Sequence, residues 1–218
     1  MTKIKICGIT NYEDAKDAAE LGADFLGFNF YSKSPRFVDY KKVKYIVKKI
    51  NGRINIVGVF VNEPIENIKQ TDKMCNLDLI QLSGDETAQY IKELKNSMNK
   101  YSIKRNSINK PIKNKIIKCF HINSSDDIKK INNHKSDYLM PDSSRNGLYG
   151  GTGASFDLNI IKNIDTKKLF LAGGLDEQNV KAAIEAINPF AVDVCSGIES
   201  KPGKKDYKKM KRFIEAAR

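Results

Sequence analysis

A cysteine closes the first apolar run of the chain, in Lys5-Ile6-Cys7-Gly8-Ile9-Thr10, and an aspartate closes a later one, in Leu139-Met140-Pro141-Asp142. A thiol with an ordinary pKa near about 8.5 is thiolate to only a few per cent at neutral pH, but surroundings that lower that value make it a proton acceptor. A carboxyl group whose pKa is raised becomes a proton donor. Brought to one place, the two could act as base and acid. Each also has a quieter reading: a cysteine among apolar neighbours packs in a core, and an aspartate ahead of Ser143-Ser144 makes a turn. Arg36, in Lys33-Ser34-Pro35-Arg36, offers a planar fork matched to a carboxylate or phosphate, although an arginine on a loop is commonly just solvated. His121 and His134 lack metal-ligand spacing with each other. Cys7, Cys75, Cys119 and Cys195 have none of the C-x-x-C pairing a zinc or redox site needs.

The elements that must position these residues repeat. Short β-branched and apolar runs alternate with stretches whose apolar residues recur three and four apart, the pattern of strand then helix. Strands are predicted at Ile4–Cys7, Phe25–Phe30, Asn55–Val61, Leu77–Leu82, Ile116–Ile122, Tyr138–Met140, Leu169–Ala172 and Val192–Cys195. Helices are predicted at Tyr12–Leu21, Tyr40–Ile50, Ile65–Cys75, Glu86–Met98, Ser125–Asn132, Leu158–Ile164, Glu177–Ile187 and Asp206–Ala217, with Asp85 and Ser124–Asp127 as N-cap candidates. Runs such as Asn55–Val61 are apolar at nearly every position, which implies parallel strands buried on both faces. Eight such repeats in 218 residues fit a single-domain α/β protein, a (β/α)₈ TIM barrel. A doubly wound open sheet would more typically carry fewer strands and a glycine fingerprint after the first. Residues 96–115 are polar and basic, and read as a long loop excursion.

In such a barrel the substrate sits at the carboxyl ends of the strands. Cys7 and Asp142 both fall there, on strands one and six, so they would face one mouth from opposite sides. Gly173-Gly174 follow strand seven and Ser196-Gly197 follow strand eight. In that position two adjacent loops of small residues favour a phosphate cradle over simple chain turning.

Hydrophobic residues make up 40% of the chain and charged ones 29%, the balance of a folded globular protein. The formal charge of +12 implies attraction to anions, but no compact basic cluster interleaved with aromatics marks a specific nucleic-acid surface. No apolar run is long enough to span a bilayer, and the N-terminus lacks the charged and apolar stretches of a secretory signal. Reduced thiols and a cytoplasmic setting are the expectation.

KICGIT at 5–10, KSPRFV at 33–38, VGVFVN at 57–62, QLSGDE at 81–86, GGTGASFD at 150–157, AGGL at 172–175, PFAVDVCSGIES at 189–200 and PGKKD at 202–206 occur in this order. Together they resemble the motifs of the phosphoribosylanthranilate isomerase family over essentially the whole chain. The resemblance implies a (β/α)₈ barrel acting in tryptophan biosynthesis. The implied reaction is a cofactor-free and metal-free Amadori rearrangement of N-(5-phosphoribosyl)anthranilate to 1-(2-carboxyphenylamino)-1-deoxyribulose 5-phosphate. Matched motif by motif, it makes Cys7 the general base, Asp142 the general acid and Arg36 the partner of the anthranilate carboxylate. Gly173, Gly174, Ser196 and Gly197 would hold the phosphate, with Gln81 and Asp193 as sugar or orienting contacts. The implied partner is this small phosphosugar-anthranilate, with no membrane and no specific nucleic acid, and with association with other tryptophan-pathway enzymes left open.

Two features depart from the family pattern: Pro141 stands where a plain apolar residue is usual, and the 96–115 segment is longer. Two rivals stand beside this reading. A sugar-phosphate isomerase of histidine biosynthesis would carry an aspartate where Cys7 stands. A barrel without turnover would bind phosphate or nucleic acid through its basic surface.

Overall fold

The computed structural model describes residues 1–50, 52, 54–102, 115–121, 135–142 and 164–218, with the backbone alone at 99–102, 121 and 142. Eight strands form one parallel sheet: β1 (Lys3–Cys7), β2 (Phe25–Asn29), β3 (Asn55–Phe60), β4 (Leu79–Leu82), β5 (Lys115–His121), β6 (Tyr138–Asp142), β7 (Phe170–Leu171) and β8 (Ala191–Val194). Each pairs with its neighbour in sequence, β8 pairs with β1, and a bridge between Leu139 and Leu169 joins β6 to β7 and closes the ring. Closure leaves no exposed sheet edge. The described helices are α1 (Tyr12–Glu20), α2 (Tyr40–Ile50), α3 (Ile65–Cys75), α4 (Ala88–Ser102), α5 (Val180–Ile187) and α6 (Tyr207–Ala216). Among the described residues no helix is long and apolar enough to cross a membrane.

Period-two alternation gives each strand two jobs. One set of side chains, including Ile4, Ile6, Leu26, Phe28, Ile56 and Ile80, joins the cluster that also holds the apolar faces of the helices, such as Val43 and Ile46 of α2 and Phe213 of α6. The other set points inward. Phe25, Val57, Leu79, Ile117, Cys119, Met140, Phe170 and Ala191 form a second cluster, with Tyr138 and Phe190 against it. The aromatics of that cluster stand where β2, β6, β7 and β8 begin: Tyr138 stacks on Phe190 at 4.7 Å between ring centroids, and Phe25 lies 5.5 Å from Phe170. Each such ring taken from water contributes about 1.5–3 kcal/mol. This aromatic plug fills the amino end of the barrel, so its polar interior positions collect at the carboxyl end.

Local signals set the element ends. Asn11 and Asp206 cap α1 and α6 by accepting from the backbone N–H of Asp14 and Lys209 at 2.9 and 3.0 Å. Asn76 and Asn188 end α3 and α5 in left-handed conformation, φ 53° and 49°, which asparagine tolerates better than most residues. One cap differs from expectation. Helix α4 starts at Ala88, and Thr87 accepts from the Tyr90 N–H at 3.2 Å. Asp85 instead accepts from the Asn62 side chain at 3.3 Å, and Glu86 is buried in an ion pair.

The same helix runs past Met98 to Ser102, and Lys115 opens β5, so both ends of the segment expected as a basic excursion at 96–115 belong to regular elements. Its residues 103–114 lie outside the described residues. So do the predicted helix Ser125–Asn132, its Ser124–Asp127 cap, nearly all of the predicted helix Leu158–Ile164, and His134. A short hairpin that the strand–helix pattern did not announce, β9 (Glu199–Lys201) with β10 (Lys204–Lys205), turns at Pro202-Gly203 just beyond β8.

Candidate active site

The site is built upward from Lys5. This lysine sits mid-strand in β1 with no solvent exposure, and its Nζ lies 2.6 Å from Asp193 Oδ1 on β8. The register places them side by side, Lys5 opposite Asp193. Burial works to lower the lysine's pKa, but Asp193 and Cys7 beside it outweigh that and raise it above the ordinary value. Lys5 is therefore a fixed positive charge under the barrel mouth. Room for it comes from β2, where a Cβ on Gly27 would stand 2.8 Å from Cys7 Sγ and 3.2 Å from Lys5 Nζ.

One step up β1, on the same face, Cys7 is buried and its thiol is lowered to about 6. The neighbouring Cys195 thiol is the largest cause; burial opposes it, and the Lys5 ammonium reinforces it. The Cys195 thiol is raised well above the usual range by the same contact, by burial and by the charge on Cys7. The Lys5 ammonium thus favours a thiolate at Cys7, and a charge there disfavours a second one at Cys195.

Gly8 follows with φ +74°, and a Cβ there would stand 2.7 Å from Arg36 Cδ and 2.8 Å from Cys195 Sγ. Only glycine lets the chain turn left-handed while Arg36 and Cys195 close over it. Arg36 reaches this spot because Glu199 holds it: its Nε and Nη2 donate to the Glu199 carboxylate at 2.9 and 2.7 Å. Glu199 also accepts from Lys205 Nζ at 3.0 Å and from the Gly203 N–H at 3.2 Å. Hydrogen bonding to Glu199 raises the guanidinium's pKa, which burial works to lower. Among the described residues Nη1 has no acceptor, so that side of the guanidinium is open to another one.

The other expected residues fall as follows. Gln81, on β4, is buried; its amide donates to Ser83 Oγ at 3.1 Å and to Cys119 Sγ at 3.4 Å, and its Oε1 has no hydrogen-bond partner among the described residues. Asp193 has the chain's own Lys5 as its partner. Gly173 and Gly174 turn with φ 100° and 62°. Their loop touches the next one, since a Cβ on Gly197 would stand 2.1 Å from the Leu175 carbonyl oxygen. Asp142 is the last residue of β6, in register with His121; its side chain lies outside what is described. Among the described residues, no group of three His, Cys, Asp or Glu side chains is placed to hold a metal ion.

The structure thus brings Cys7, Arg36 and Asp193 together on the β8–β1–β2 side, and the two glycine loops beside each other after β7 and β8. It adds three residues to which the sequence reading gave no part: Lys5, Cys195 and Glu199. Lys5 carried a signal, being a lysine two residues before Cys7 inside an apolar strand. Glu199 carried none, because its hairpin returns it to the mouth only in three dimensions.

Residues 4–216 match the family of N-(5'phosphoribosyl)anthranilate (PRA) isomerase. The N-(5'-phosphoribosyl)anthranilate isomerase of Caldanaerobacter subterraneus subsp. tengcongensis is 42% identical over 219 residues, covering 100% of this chain and 98% of the relative. The crystal structure of phosphoribosyl anthranilate isomerase from Thermotoga maritima is 35% identical and superposes with a TM-score of 0.85 over 100% of this chain and 98% of that one. A crystal structure of the enzyme in complex with reduced 1-(o-carboxyphenylamino)-1-deoxyribulose 5-phosphate is 32% identical, with a TM-score of 0.82 over 100% and 98% of the two chains. By a family match that spans nearly every residue, the chain belongs to the phosphoribosylanthranilate isomerase family.

Proposed function

We propose that this chain is an aldose–ketose isomerase of tryptophan biosynthesis, converting N-(5-phosphoribosyl)anthranilate to 1-(2-carboxyphenylamino)-1-deoxyribulose 5-phosphate. The observation that carries the mechanism is the Cys7 thiol lowered to about 6 at the carboxyl end of β1. A base poised just below neutral pH is largely ionised in use and still takes a proton readily.

Opening the substrate furanose needs a proton at the ring oxygen. Asp142, at the end of β6 and in the same register parity as Tyr138 and Met140 of the interior cluster, is assigned that donor role. As the C1–O bond breaks, the anthranilate nitrogen lone pair forms an iminium, and the adjacent C2 proton becomes acidic. The Cys7 thiolate removes that proton. The resulting enolamine takes a proton at C1 as its C2 hydroxyl becomes the ketone. Every step moves protons and electron pairs within substrate and side chains, so the scheme calls on no cofactor.

Binding follows the same layout. The Nη1 side of Arg36 is assigned to the anthranilate carboxylate, held in aim by Glu199 at 2.7 Å. The abutting loops Gly173-Gly174 and Ser196-Gly197 are assigned to the phosphate, and the unpartnered Gln81 Oε1 to a sugar hydroxyl.

The test is turnover by purified protein, followed as loss of fluorescence when the anthranilate-derived substrate is consumed. Cys7→Ser and Asp142→Asn are each expected to lower kcat by about 10²–10⁴-fold while circular dichroism stays that of the parent. Full turnover by Cys7→Ser removes the thiol from the base role, and no turnover by the parent protein removes the proposal.

A further inference from the structure

Cys7 and Cys195 are neighbours in a way the proposed reaction does not require. Ile6 and Val194 are register partners on paired strands β1 and β8, so the two cysteines occupy the next position on each chain. Two residues back, Lys5 and Asp193 meet at 2.6 Å, which puts this parity of both strands on one face. Adjacent strands lie about 4.7–4.9 Å apart, so at the Ile6–Val194 pair, one residue before both cysteines, the chains run within the range of about 4.4–6.8 Å between Cα atoms that a disulfide spans. A Cβ on Gly8 would stand 2.8 Å from Cys195 Sγ, so that sulfur lies against the turn that directly follows Cys7, and Cys195 is partly exposed.

We infer that Cys7 and Cys195 form a reversible disulfide when the enzyme meets hydrogen peroxide, and that this modification switches the isomerase off. The Cys7 thiolate attacks one peroxide oxygen; the O–O bond breaks, a sulfenic acid forms and hydroxide leaves. The Cys195 sulfur then attacks the sulfenic sulfur, the S–S bond forms, and the Cys195 proton leaves with the displaced oxygen as water. One thiolate, one thiol and one hydrogen peroxide give one disulfide, one water and one hydroxide. A small dithiol reverses the step by exchange.

The surroundings favour this pair. Lys5 lies below Cys7, and Lys205 Nζ stands 3.8 Å from Cys195 Sγ, so the site is electropositive, as reactive cysteines require. The other two cysteines differ. Cys75 lies on α3, and burial pushes its thiol up to about 12; Cys119 is in the barrel interior, with Met140 Sδ at 3.5 Å and Ser83 Oγ at 3.2 Å. In the disulfide Cys7 has no thiolate, so loss of turnover rests on its proposed role as base, whereas formation of the bond does not.

The experiment treats the full-length enzyme with hydrogen peroxide, quenches it, and counts thiols in denaturant alongside peptide mapping and turnover. The expected result is loss of two of the four thiols, a Cys7 peptide joined to a Cys195 peptide, and turnover that falls to background and returns with dithiothreitol. Cys195→Ser, scored against its own untreated rate, is expected to lose turnover that dithiothreitol does not restore, with sulfinic acid at Cys7. Four surviving thiols, a bond between another pair, or sulfinic acid at Cys7 of the parent without the cross-link overturns the inference, and the parent map decides this even if the variant fails to fold. A Cys7–Cys195 cross-link with turnover unchanged overturns the switch and the base role while the bond stands. Peroxide resistance together with an inactive Cys7→Ser variant overturns the switch and leaves the isomerase reading intact.

Discussion

Among the described residues three lysines are buried against carboxylates; the two on barrel strands, Lys5 and Lys118, stand on opposite faces of the sheet. Lys5 lies on the inner face of β1, 2.6 Å from Asp193, with neither side chain more than 10% exposed. Lys118 lies on the outer face of β5, 2.8 Å from Glu86, and it also donates to the Gly84 carbonyl. Around Lys118 the partners are the Glu86 carboxylate and the Gly84 carbonyl. Glu86 accepts from the N–H groups of Asn62 and Gly84, so this pair ties the loop after β3 to the loop after β4. Around Lys5 there is a thiol instead. The same ion pair is structural where its neighbours are amides, and tunes chemistry where its neighbour titrates.

The largest effect should be shared by both. Removing one member of a buried pair leaves the other charge unpaired at a cost of about 3–5 kcal/mol. Lys5→Met and Lys118→Met are each expected to lower unfolding free energy by about that amount, read from urea denaturation. A change below about 1 kcal/mol at Lys5 would mean that Asp193 finds water or another partner, and the two pairs would then not be alike even in stability.

Next in size is Arg36, which belongs to the inner side but acts on substrate. Hydrogen bonds to charged groups are worth about 1.5–3 kcal/mol. Arg36→Ala is expected to cut kcat/KM by about 10–150-fold, mainly through KM. An unchanged KM would take the anthranilate carboxylate away from Arg36 and leave it a purely structural partner of Glu199.

The comparison separates cleanly in pH. A base must be deprotonated to act, so kcat/KM should fall as pH drops through the lowered Cys7 value of about 6. Lys118→Met should keep that limb in place. Lys5→Met removes a charge that favours the thiolate while burial continues to oppose it, so the limb should move to higher pH by about one unit, equivalent to ~1.4 kcal/mol. The pH–rate profiles of the three proteins are the readout. Coincident limbs would make Lys5 structural too.

How much of this was legible in the sequence differs between the two faces. The strand–helix alternation was written in apolar spacing, and Cys7, Arg36 and the two glycine loops could be placed because strand ends define the mouth of a barrel. Lys5 was legible in principle, since period two puts it on the face of Cys7, but a lysine in an apolar strand suggests an exposed edge until closure of the ring buries it. Glu199 and Lys118 were not legible. Their partners lie far along the chain, Arg36 in the loop after β2 for Glu199 and Glu86 on the far side of α4 for Lys118, and local pattern carries no information on such pairing. Pairing of Cys7 with Cys195 needed the register of β1 on β8, which is set by the order of strands around the ring.

The smallest test concerns the outer side alone. Glu86 is a short acidic residue close to the predicted start of α4, and Asp85 before it looks like a cap; yet with Glu86 buried on Lys118 the helix starts later, and Thr87 makes the capping contact to the Tyr90 N–H at 3.2 Å. Loss of an N-cap side chain costs about 0.5–2 kcal/mol. Thr87→Ala should therefore lower stability by about 1 kcal/mol, whereas Asp85→Ala, which removes the contact to Asn62 Nδ2 at 3.3 Å but no helix cap, should cost less. Neither should move the acid limb, because no atom of that corner touches the Lys5–Cys7 pair. Reversal of the order, with Asp85→Ala the more damaging, would return the cap to Asp85 and mean that the Lys118–Glu86 pair does not set where α4 begins.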